Sequence, residues 1–388
     1  MRIRRSWPGK KGTRVLEGID DAGRVRAGVV PAPARTPAVE RTPAVVAAAA
    51  TPMDTEDLPR PRTGPVGPAD AVWLEPGIDP KLPTFHVESG DEVLVHRAGR
   101  RAVVRTSAGF VKHLRAGRGI EVAEVSARMA TRARAAGFAA PEVLDHTPET
   151  VTFAPLAGHS PEAFARMHGT LVPAFEEWAR RWPGLVTGDV ASCALRGVPV
   201  HGPEDEIRVV DTWTRHLLDF APAAWVGEYA AEIRAARDRV IRGLGTPRGG
   251  RGQGTRSADG ALVLAHRDLH DGQILVDGGT ECDTEGGTGP LTVGILDFDT
   301  AALAEPELDV ANLVEHLRFR VGQGLWDAAA AEGAITAVLG VIGDLHLDAA
   351  RLSAYRAATR LRLACVHAFR PADTDLARRT LESLAAHR

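Results

Sequence analysis

Two short acidic blocks contain the residues best suited to chemistry. One runs from His266 to Val276 (HRDLHDGQILV), and the other runs from Gly294 to Asp299 (GILDFD). A short apolar, strand-like segment leads into each block, which places the aspartates on loops that a substrate can reach. Phosphoryl transfer requires two such acidic loops at the ends of neighbouring strands. One carboxylate orients the attacking hydroxyl, and another holds the metal ion that neutralises the phosphates.

The spacing inside the first block points the same way. Asp268 lies two residues after His266 and five residues before the amide of Gln273, which is the kinase spacing His-x-Asp-x-x-x-x-amide. The acid pair Asp297 and Asp299 follows downstream, in the order that phosphotransferases use. A single His-x-Asp is weak evidence, whereas this joint match predicts a phosphotransferase site with Asp268 as its catalytic carboxylate.

The two blocks resemble those of the aminoglycoside phosphotransferases. That family's catalytic loop is usually written His-Gly-Asp-Leu-His-Pro-Gly-Asn, and residues 295–312 resemble its metal loop, Ile-Asp-Trp followed by Gly-Asp-Pro and Asp-Leu-Ala. The family has a protein-kinase-like fold and includes kinases of antibiotics, choline and sugars. The resemblance is tight in the two motifs, looser over residues 84–388, and does not cover the N-terminal segment.

The resemblance implies a role for several residues of this chain. Asp268 would orient the substrate hydroxyl, Gln273 and Asp297 would hold Mg²⁺, and Asp309 would hydrogen-bond the amides of the catalytic loop. The second substrate would be ATP, and the acceptor a hydroxylated small molecule. Asp299 is open to two interpretations, sharing the metal or capping the next turn.

The histidines of the first block leave similar choices. His266 is expected to be structural rather than a chemical base, because it would hydrogen-bond and pack the loop. His270 could contact substrate or could simply be a solvated loop residue. The sequence does not decide between these two interpretations of His270.

Two positions depart from the family pattern. Gln273 stands where asparagine is usual, but glutamine offers the same carbonyl oxygen one methylene further out, so metal coordination stays possible. Macrolide phosphotransferases have a histidine there, which indicates a tolerant position. Ala304-Glu305-Pro306 replaces Gly-Asp-Pro, so Glu305 receives no role.

The nucleotide contacts are expected in the preceding, β-rich part of the chain. By the resemblance, Lys112 contacts the α- and β-phosphates and pairs with an acid on the following helix, for which Glu124 is preferred over Glu121. Thr152–Gly158 is expected to connect the lobes, with adenine pairing to backbone groups near Ala154 and Leu156. No glycine-rich loop is evident beyond the turn at Ala98–Arg101.

The surrounding patterns predict an α+β, bilobal, protein-kinase-like fold, with a β-rich small lobe and a mainly helical large lobe. Five short β-rich segments with one helical segment after the third give the small lobe, and spaced apolar residues among charges indicate helices after Gly158. The predicted organisation is a hairpin segment at 1–30, a Pro/Ala-rich flexible linker at 31–68, the small nucleotide-binding lobe at 69–157 and the large catalytic lobe at 158–388.

Composition narrows the function further. The 388 residues have a formal net charge of −3, without the basic excess that marks nucleic-acid binders. The three cysteines, Cys193, Cys282 and Cys365, are too widely spaced for a disulfide framework or a zinc site. No apolar run is long enough to span a bilayer or to act as a signal sequence. We therefore expect a cytoplasmic chain that binds neither nucleic acid nor membrane, with its oligomeric state undetermined.

Two alternatives to a small-molecule kinase deserve comparison. A protein kinase needs a long activation segment after the metal aspartate, but Glu305-Pro306 follows Asp297 by only eight residues. A nucleotide-binding pseudokinase that acts as a regulatory or partner-binding module is supported by Gln273 alone. The intact set of His266, Asp268, Asp297 and Lys112 argues against it.

Overall fold

The computed structural model of the chain describes residues 1–32, 67–187, 198–221, 223–246, 262–278 and 291–386. Three parts make up the described fold: an N-terminal sheet, a small lobe built on a second sheet, and a mainly helical large lobe. The predicted linker at 31–68 falls almost entirely outside the described residues. No helix within the described ranges is long and apolar enough to cross a membrane.

The N-terminal sheet has four antiparallel strands in the order of the sequence. Its strands are β1 (Arg2–Pro8), β2 (Arg14–Ile19), β3 (Val25–Val30) and β4 (Val72–Trp73). β2 and β3 form the hairpin that the sequence predicts, and Asp20 Oδ1 stabilises its turn by accepting the N–H groups of Ala22 and Arg24 at 3.0 and 2.9 Å. β4 pairs with β3, so the boundary expected at residue 69 is wrong for this strand, which completes the N-terminal sheet instead of the small lobe.

The small lobe is a five-stranded antiparallel sheet with one helix. The elements are β5 (Glu92–Arg97), β6 (Arg101–Thr106), β7 (Gly109–Leu114), α1 (Arg118–Ala135), β8 (Val143–His146) and β9 (Thr150–Phe153). Five strands with a helix after the third are as predicted, and the strand order within the sheet is β5-β6-β7-β9-β8. Alternation along β7 places Phe110 and Lys112 on one face of the sheet, where both line the same cavity.

The large lobe packs helices around short strands. Its helices are α2 (Pro161–His168), α3 (Val172–Thr187), α4 (Pro203–Phe220), α5 (Ala223–Gly245), α6 (Glu307–Gly322), α7 (Ala328–Leu339), α8 (Ala349–His367) and α9 (Thr374–Ala386). Its strands are β10 (Val200–His201), β11 (Val263–Ala265), β12 (Ile274–Asp277), β13 (Thr292–Ile295) and β14 (Ala302–Ala304). The main core lies here, around fully buried side chains such as Trp178, Trp182 and Tyr355. The α+β, two-lobed fold class predicted from the sequence is confirmed.

The central helix of the large lobe, α6, is buried along most of its length. Eleven of its sixteen residues are buried, including the polar Asp309, Asn312 and Glu315. Buried polar groups are costly unless they are hydrogen-bonded. Their position in the centre of the lobe therefore indicates that α6 supports something besides the apolar core.

Candidate active site

The loop that bears Asp268 connects β11 to β12, and α6 holds it by its backbone. Asp309 accepts the N–H groups of His266 and Arg267 at 2.6 and 2.8 Å, and Asn312 Nδ2 donates to the carbonyl of Arg267 at 3.1 Å. Arg267 has a φ of 69°, a conformation that a non-glycine residue keeps only where its surroundings hold it. The backbone of the loop is therefore fixed by α6, while the side chain of Asp268 is exposed.

The role expected of Asp309 is confirmed by these two hydrogen bonds. Burial raises the pKa of Asp309, and the neighbouring His266 and the backbone N–H groups partly offset that effect. His266 is structural, as expected, because its Nε2–H donates to the carbonyl of Leu296 at 2.7 Å and its ring packs against Phe298. His266 thereby ties the catalytic loop to the second acidic loop.

The hairpin β12–β13 brings the second acidic block beside the first. Ile274 lies opposite Ile295, and this register places Gln273 next to Leu296 and Asp297. The N–H of Leu296 donates to the Gln273 carbonyl at 2.9 Å, and Gln273 Nε2 lies 3.5 Å from Asp297 Oδ2. Two residues that are 24 positions apart in sequence thus become neighbours at the end of one hairpin.

Lys112 reaches across from the small lobe and lies between the two aspartates. Its Nζ is 2.8 Å from Asp297 Oδ1 and 2.7 Å from Asp299 Oδ2. Burial opposes the ionisation of Asp297, but the charges of Lys112 and Arg101 outweigh it and lower the pKa of Asp297. Burial raises the pKa of Asp299, and Lys112 only partly compensates. Burial alone would lower the pKa of Lys112, but the two carboxylates outweigh it and raise that pKa. Lys112 therefore stays charged.

The oxygen atoms around Lys112 suit a hard divalent cation. Asp299 Oδ1 is buried and makes no hydrogen bond to any residue that the structure describes. Together with the carboxylate of Asp297, it offers the oxygen donors that Mg²⁺ prefers. Gln273 directs its amide nitrogen to Asp297 Oδ2 at 3.5 Å, so its amide has to turn over before the oxygen can join this set. The two aspartates fit the predicted metal.

The expected partner of Lys112 is not Glu124. Glu124 is exposed, and Glu121 pairs with Arg118 at 2.9 Å instead. The reason is helical geometry: Val122 and Ser126 lie on the buried face of α1, and Glu124, two residues past Val122, is turned about 200° away from it. The prediction for Glu124 is therefore wrong, and the carboxylates that hold Lys112 belong to the large lobe.

A cavity of about 420 Å³ opens between the lobes beside these groups. Its lining includes the predicted Lys112, Ala154, Leu156, Gln273 and Asp297. The N–H of Ala154 is already used, since it donates to the Glu142 carbonyl at 2.9 Å. Among the described residues, neither the Ala154 carbonyl nor the Leu156 amide has a backbone hydrogen-bond partner, so both are left for a base. The structure thus brings together Lys112, Ala154, Leu156, Gln273 and Asp297, and leaves out Glu124.

Sequence reasoning missed two residues at this site. Ser126 lines the cavity, and its buried Oγ has no hydrogen-bond partner among the described residues; the four-residue step from the apolar Val122 could have indicated it. Arg101, the first residue of β6, places its Nη1 3.9 Å from Asp297 Oδ2. Nothing in the sequence around Arg101 distinguishes it from its neighbour Arg100.

Beside Asp268, His270 is more buried than a solvated loop residue would be. Its ring stacks on His316 at 4.9 Å, and its Nδ1 accepts the N–H of Gly272 at 2.9 Å. Burial lowers the pKa of His270, which keeps the ring neutral near pH 7. Asp271 lies next to this pair, and the guanidinium of Arg320 binds both of its carboxylate oxygens, at 2.8 and 3.1 Å.

No protein-family model matches the chain, and no curated protein matches it. Solved structures do: the chain is similar to the GDP and kanamycin complex of an aminoglycoside phosphotransferase, with 15% identity over 78% of this chain and 94% of the other and a TM-score of 0.47. It is similar to an aminoglycoside phosphotransferase from Streptomyces rimosus, with 18% identity, 70% and 93% coverage, and a TM-score of 0.47. It is also similar to a choline/ethanolamine kinase family protein from Mesorhizobium loti, with 17% identity, 76% and 85% coverage, and a TM-score of 0.41. These structural neighbours are small-molecule kinases with a protein-kinase-like fold.

Proposed function

We propose that the chain is a magnesium-dependent phosphotransferase that moves the γ-phosphate of ATP to a hydroxyl group of a small molecule. One observation carries this proposal. An exposed carboxylate, Asp268, stands on a loop that α6 holds by its backbone, and His266 ties this loop to the second acidic loop, where Asp297 and Asp299 pair with the buried Lys112. Phosphoryl transfer requires a positioned carboxylate together with cationic and metal-binding groups.

Each residue has a distinct task in this proposal. Asp268 accepts a hydrogen bond from the acceptor hydroxyl, aims its oxygen and takes its proton. The new phosphorus–oxygen bond forms as the bond between the γ-phosphorus and the β–γ bridging oxygen breaks, and ADP leaves. Lys112 supports the negative charge of the phosphates. Mg²⁺, when bound, would neutralise phosphate charge, and Asp297, Asp299 and Gln273 would hold it.

The interlobe cavity supports ATP as the donor. Adenine offers an N–H donor and a ring-nitrogen acceptor side by side, and the free Ala154 carbonyl and Leu156 amide complement that pair. Guanine presents the opposite arrangement on the same edge. We therefore expect ATP to bind more tightly than GTP.

The short segment after Asp297 supports a small acceptor over a protein. A 3₁₀ turn at Phe298–Thr300 and the strand β14 take up this segment, and α6 begins at Glu307. Glu305, at the end of the segment, binds Arg351 at 2.6 Å and Tyr355 at 2.7 Å, so it serves packing of the large lobe. This leaves no room for a protein-kinase activation segment.

The decisive experiment measures ATP binding and ATP consumption together. We expect calorimetry to show ATP binding that strengthens with Mg²⁺ and loses that gain in Asp297→Ala. Asp277→Ala, which removes an exposed carboxylate from the same hairpin, is the matched control and should bind like the unaltered chain. ADP formation is then followed with a panel of cationic, neutral and anionic hydroxylated compounds.

A nucleotide-binding pseudokinase is the second candidate. The observation that favours it is the pairing of Lys112 with two aspartates, together with the absence of any acid of α1 at that position. Metal-independent ATP binding of equal strength in the unaltered chain and Asp297→Ala, with no ADP formed from any acceptor, would select this candidate and reject the enzyme.

A further inference from the structure

A second cavity, of about 360 Å³, lies between the N-terminal sheet and the turn that joins β5 to β6. It is separate from the nucleotide cavity, and no residue lines both. Five cationic side chains contribute to its lining: Lys10, Lys81, Arg97, Arg100 and Arg115. Its volume falls in the range of small-molecule sites.

The charge of this cavity is not balanced by the protein. Among the described residues, Asp79 is the one acid that lines it. Its carboxylate is already used by the N–H groups of Lys81 and Gly99, at 3.0 and 2.6 Å, and by His96 Nε2 at 3.1 Å. In the part of the chain that the structure describes, none of the five cations forms an ion pair with a carboxylate. Clustered like charges repel, so an anion is the natural complement.

Arg97 shows this imbalance best. Its guanidinium lies over the ring of Trp7 at 4.9 Å, which gives it an aromatic contact but no counter-charge. Its Nε is buried without a hydrogen-bond partner among the described residues. Burial, followed by the nearby charges of Arg100 and Arg101, lowers the pKa of Arg97 to about 10. A half-buried guanidinium that lacks a counter-charge favours the binding of an oxyanion.

The cavity and the nucleotide site meet at one turn. Arg115 Nε donates to the Gly99 carbonyl at 2.6 Å, while Asp79 accepts the Gly99 N–H, so the turn is held from both sides. Arg100 lines the basic cavity, and the next residue, Arg101, approaches Asp297 to 3.9 Å. An anion bound beside Arg100 therefore lies next to the residue that precedes Arg101, whose guanidinium lies 3.9 Å from the Asp297 carboxylate.

We propose that this basic cavity is an anion-binding site for a phosphate-bearing small molecule, separate from the ATP site. Arginine and lysine side chains recognise phosphate oxygens by charge-assisted hydrogen bonds, and the five cations surround the space from the N-terminal sheet and the small lobe. The site exists only where these two parts meet. Its occupant would clamp the N-terminal sheet to the β5–β6 turn.

Titration calorimetry of the full chain with inorganic pyrophosphate, without metal, tests the proposal. We expect binding that weakens about tenfold in Lys10→Gln/Lys81→Gln, because two exposed cations at the mouth are lost. Arg105→Gln/Arg118→Gln removes the same charge from exposed positions elsewhere in the small lobe and should leave binding unchanged. Lys112→Ala, which removes the cation of the nucleotide site, should also leave it unchanged.

Three outcomes would overturn the proposal: no binding at millimolar pyrophosphate, equal weakening in both double variants, or loss of binding in Lys112→Ala, which would place the anion in the nucleotide cavity. Thermal unfolding verifies that each variant is folded, and Lys81→Gln alone repeats the test if the double variant is not. None of these results depends on turnover, so the site and the proposed phosphotransfer can fail independently.

Discussion

The two halves of the candidate active site are built in different ways. In the large lobe, the catalytic loop is held by main-chain hydrogen bonds from Asp309 and Asn312, and the second acidic loop is placed by a two-stranded hairpin. In the small lobe, Lys112 lies over the ring of Phe153 at 5.5 Å, but among the described residues its ion pairs are formed with Asp297 and Asp299 across the cleft. One half is thus self-supporting, and the other is completed only by contact between the lobes.

This difference shows when the spacing of a motif in sequence predicts the spatial arrangement of its residues. Asp268 and Gln273 lie on one short loop and its following strand, so their separation in sequence nearly determines their separation in space. Lys112 and Asp297, by contrast, are 185 residues apart in sequence. No local pattern records that contact, so the small-lobe half can be completed only by the fold.

The largest effect should come from the self-supporting half. Asp268→Asn removes the carboxylate that positions the acceptor hydroxyl, so turnover should fall by about 10²-fold or more. The loop is held through its backbone, and therefore thermal stability and Mg²⁺–ATP affinity should stay close to those of the unaltered chain. Steady-state kinetics, thermal unfolding and calorimetry measure the three quantities. Near-normal turnover in a folded variant would remove Asp268 from the mechanism.

The sequence predicts this half of the site well because each signal in it is local. Asp268, Gln273 and Asp297 lie where the motifs place them, and Asp309 makes the backbone hydrogen bonds expected of it. The five-strand order with a helix after β7 follows from short β-rich segments and turns in the same way. Strand pairing between distant segments is harder to predict from the sequence. β4 pairs with β3 in the N-terminal sheet, although more than thirty undescribed residues lie between the two strands.

A smaller but diagnostic effect is expected across the lobes. Asp299→Asn keeps the size of the side chain but removes one of the two charges that hold Lys112, so kcat/KM should fall by about tenfold. The KM for ATP should rise, because Lys112 is then less firmly placed. If Asp299 only capped the following 3₁₀ turn, the variant would lose thermal stability and keep its KM for ATP. Comparing the two measurements separates these roles.

Gln273 tests whether the amide belongs to the metal site or only to the loop. Gln273→Asn keeps the oxygen ligand and should preserve most of the activity, whereas Gln273→Leu keeps similar bulk, deletes the oxygen and should raise the Mg²⁺ concentration needed for half-maximal activity. The structure also supports a role for Gln273 in the loop alone, because its Nε2 lies 3.4 Å from His270 Nε2. An unaltered magnesium midpoint in the Leu variant would assign Gln273 to the loop alone.

The wrong prediction for Glu124 shows why site residues are harder to predict on a helix than on a loop. Choosing between acids on α1 requires knowing which face of the helix meets the sheet, and a two-residue error reverses that face. The apolar and small residues Val122, Ser126, Met129 and Ala133 define the buried face in the structure. That helical period places Ser126, and not an acid, toward the cavity.

The smallest effect should therefore be at Glu124, and it sharpens the comparison between the two halves. Glu124→Gln removes an exposed carboxylate that lies on the solvent side of α1, so thermal stability should change by no more than about 0.5 kcal/mol and the KM for ATP should not change. The matched measurement is Asp299→Asn, which removes a partly buried carboxylate in contact with Lys112. If Glu124→Gln raised the KM for ATP as much as Asp299→Asn does, α1 would have to rotate toward Lys112 when nucleotide binds. The small lobe would then complete its own half of the site, and the dependence of Lys112 on the large lobe would belong to the nucleotide-free state alone.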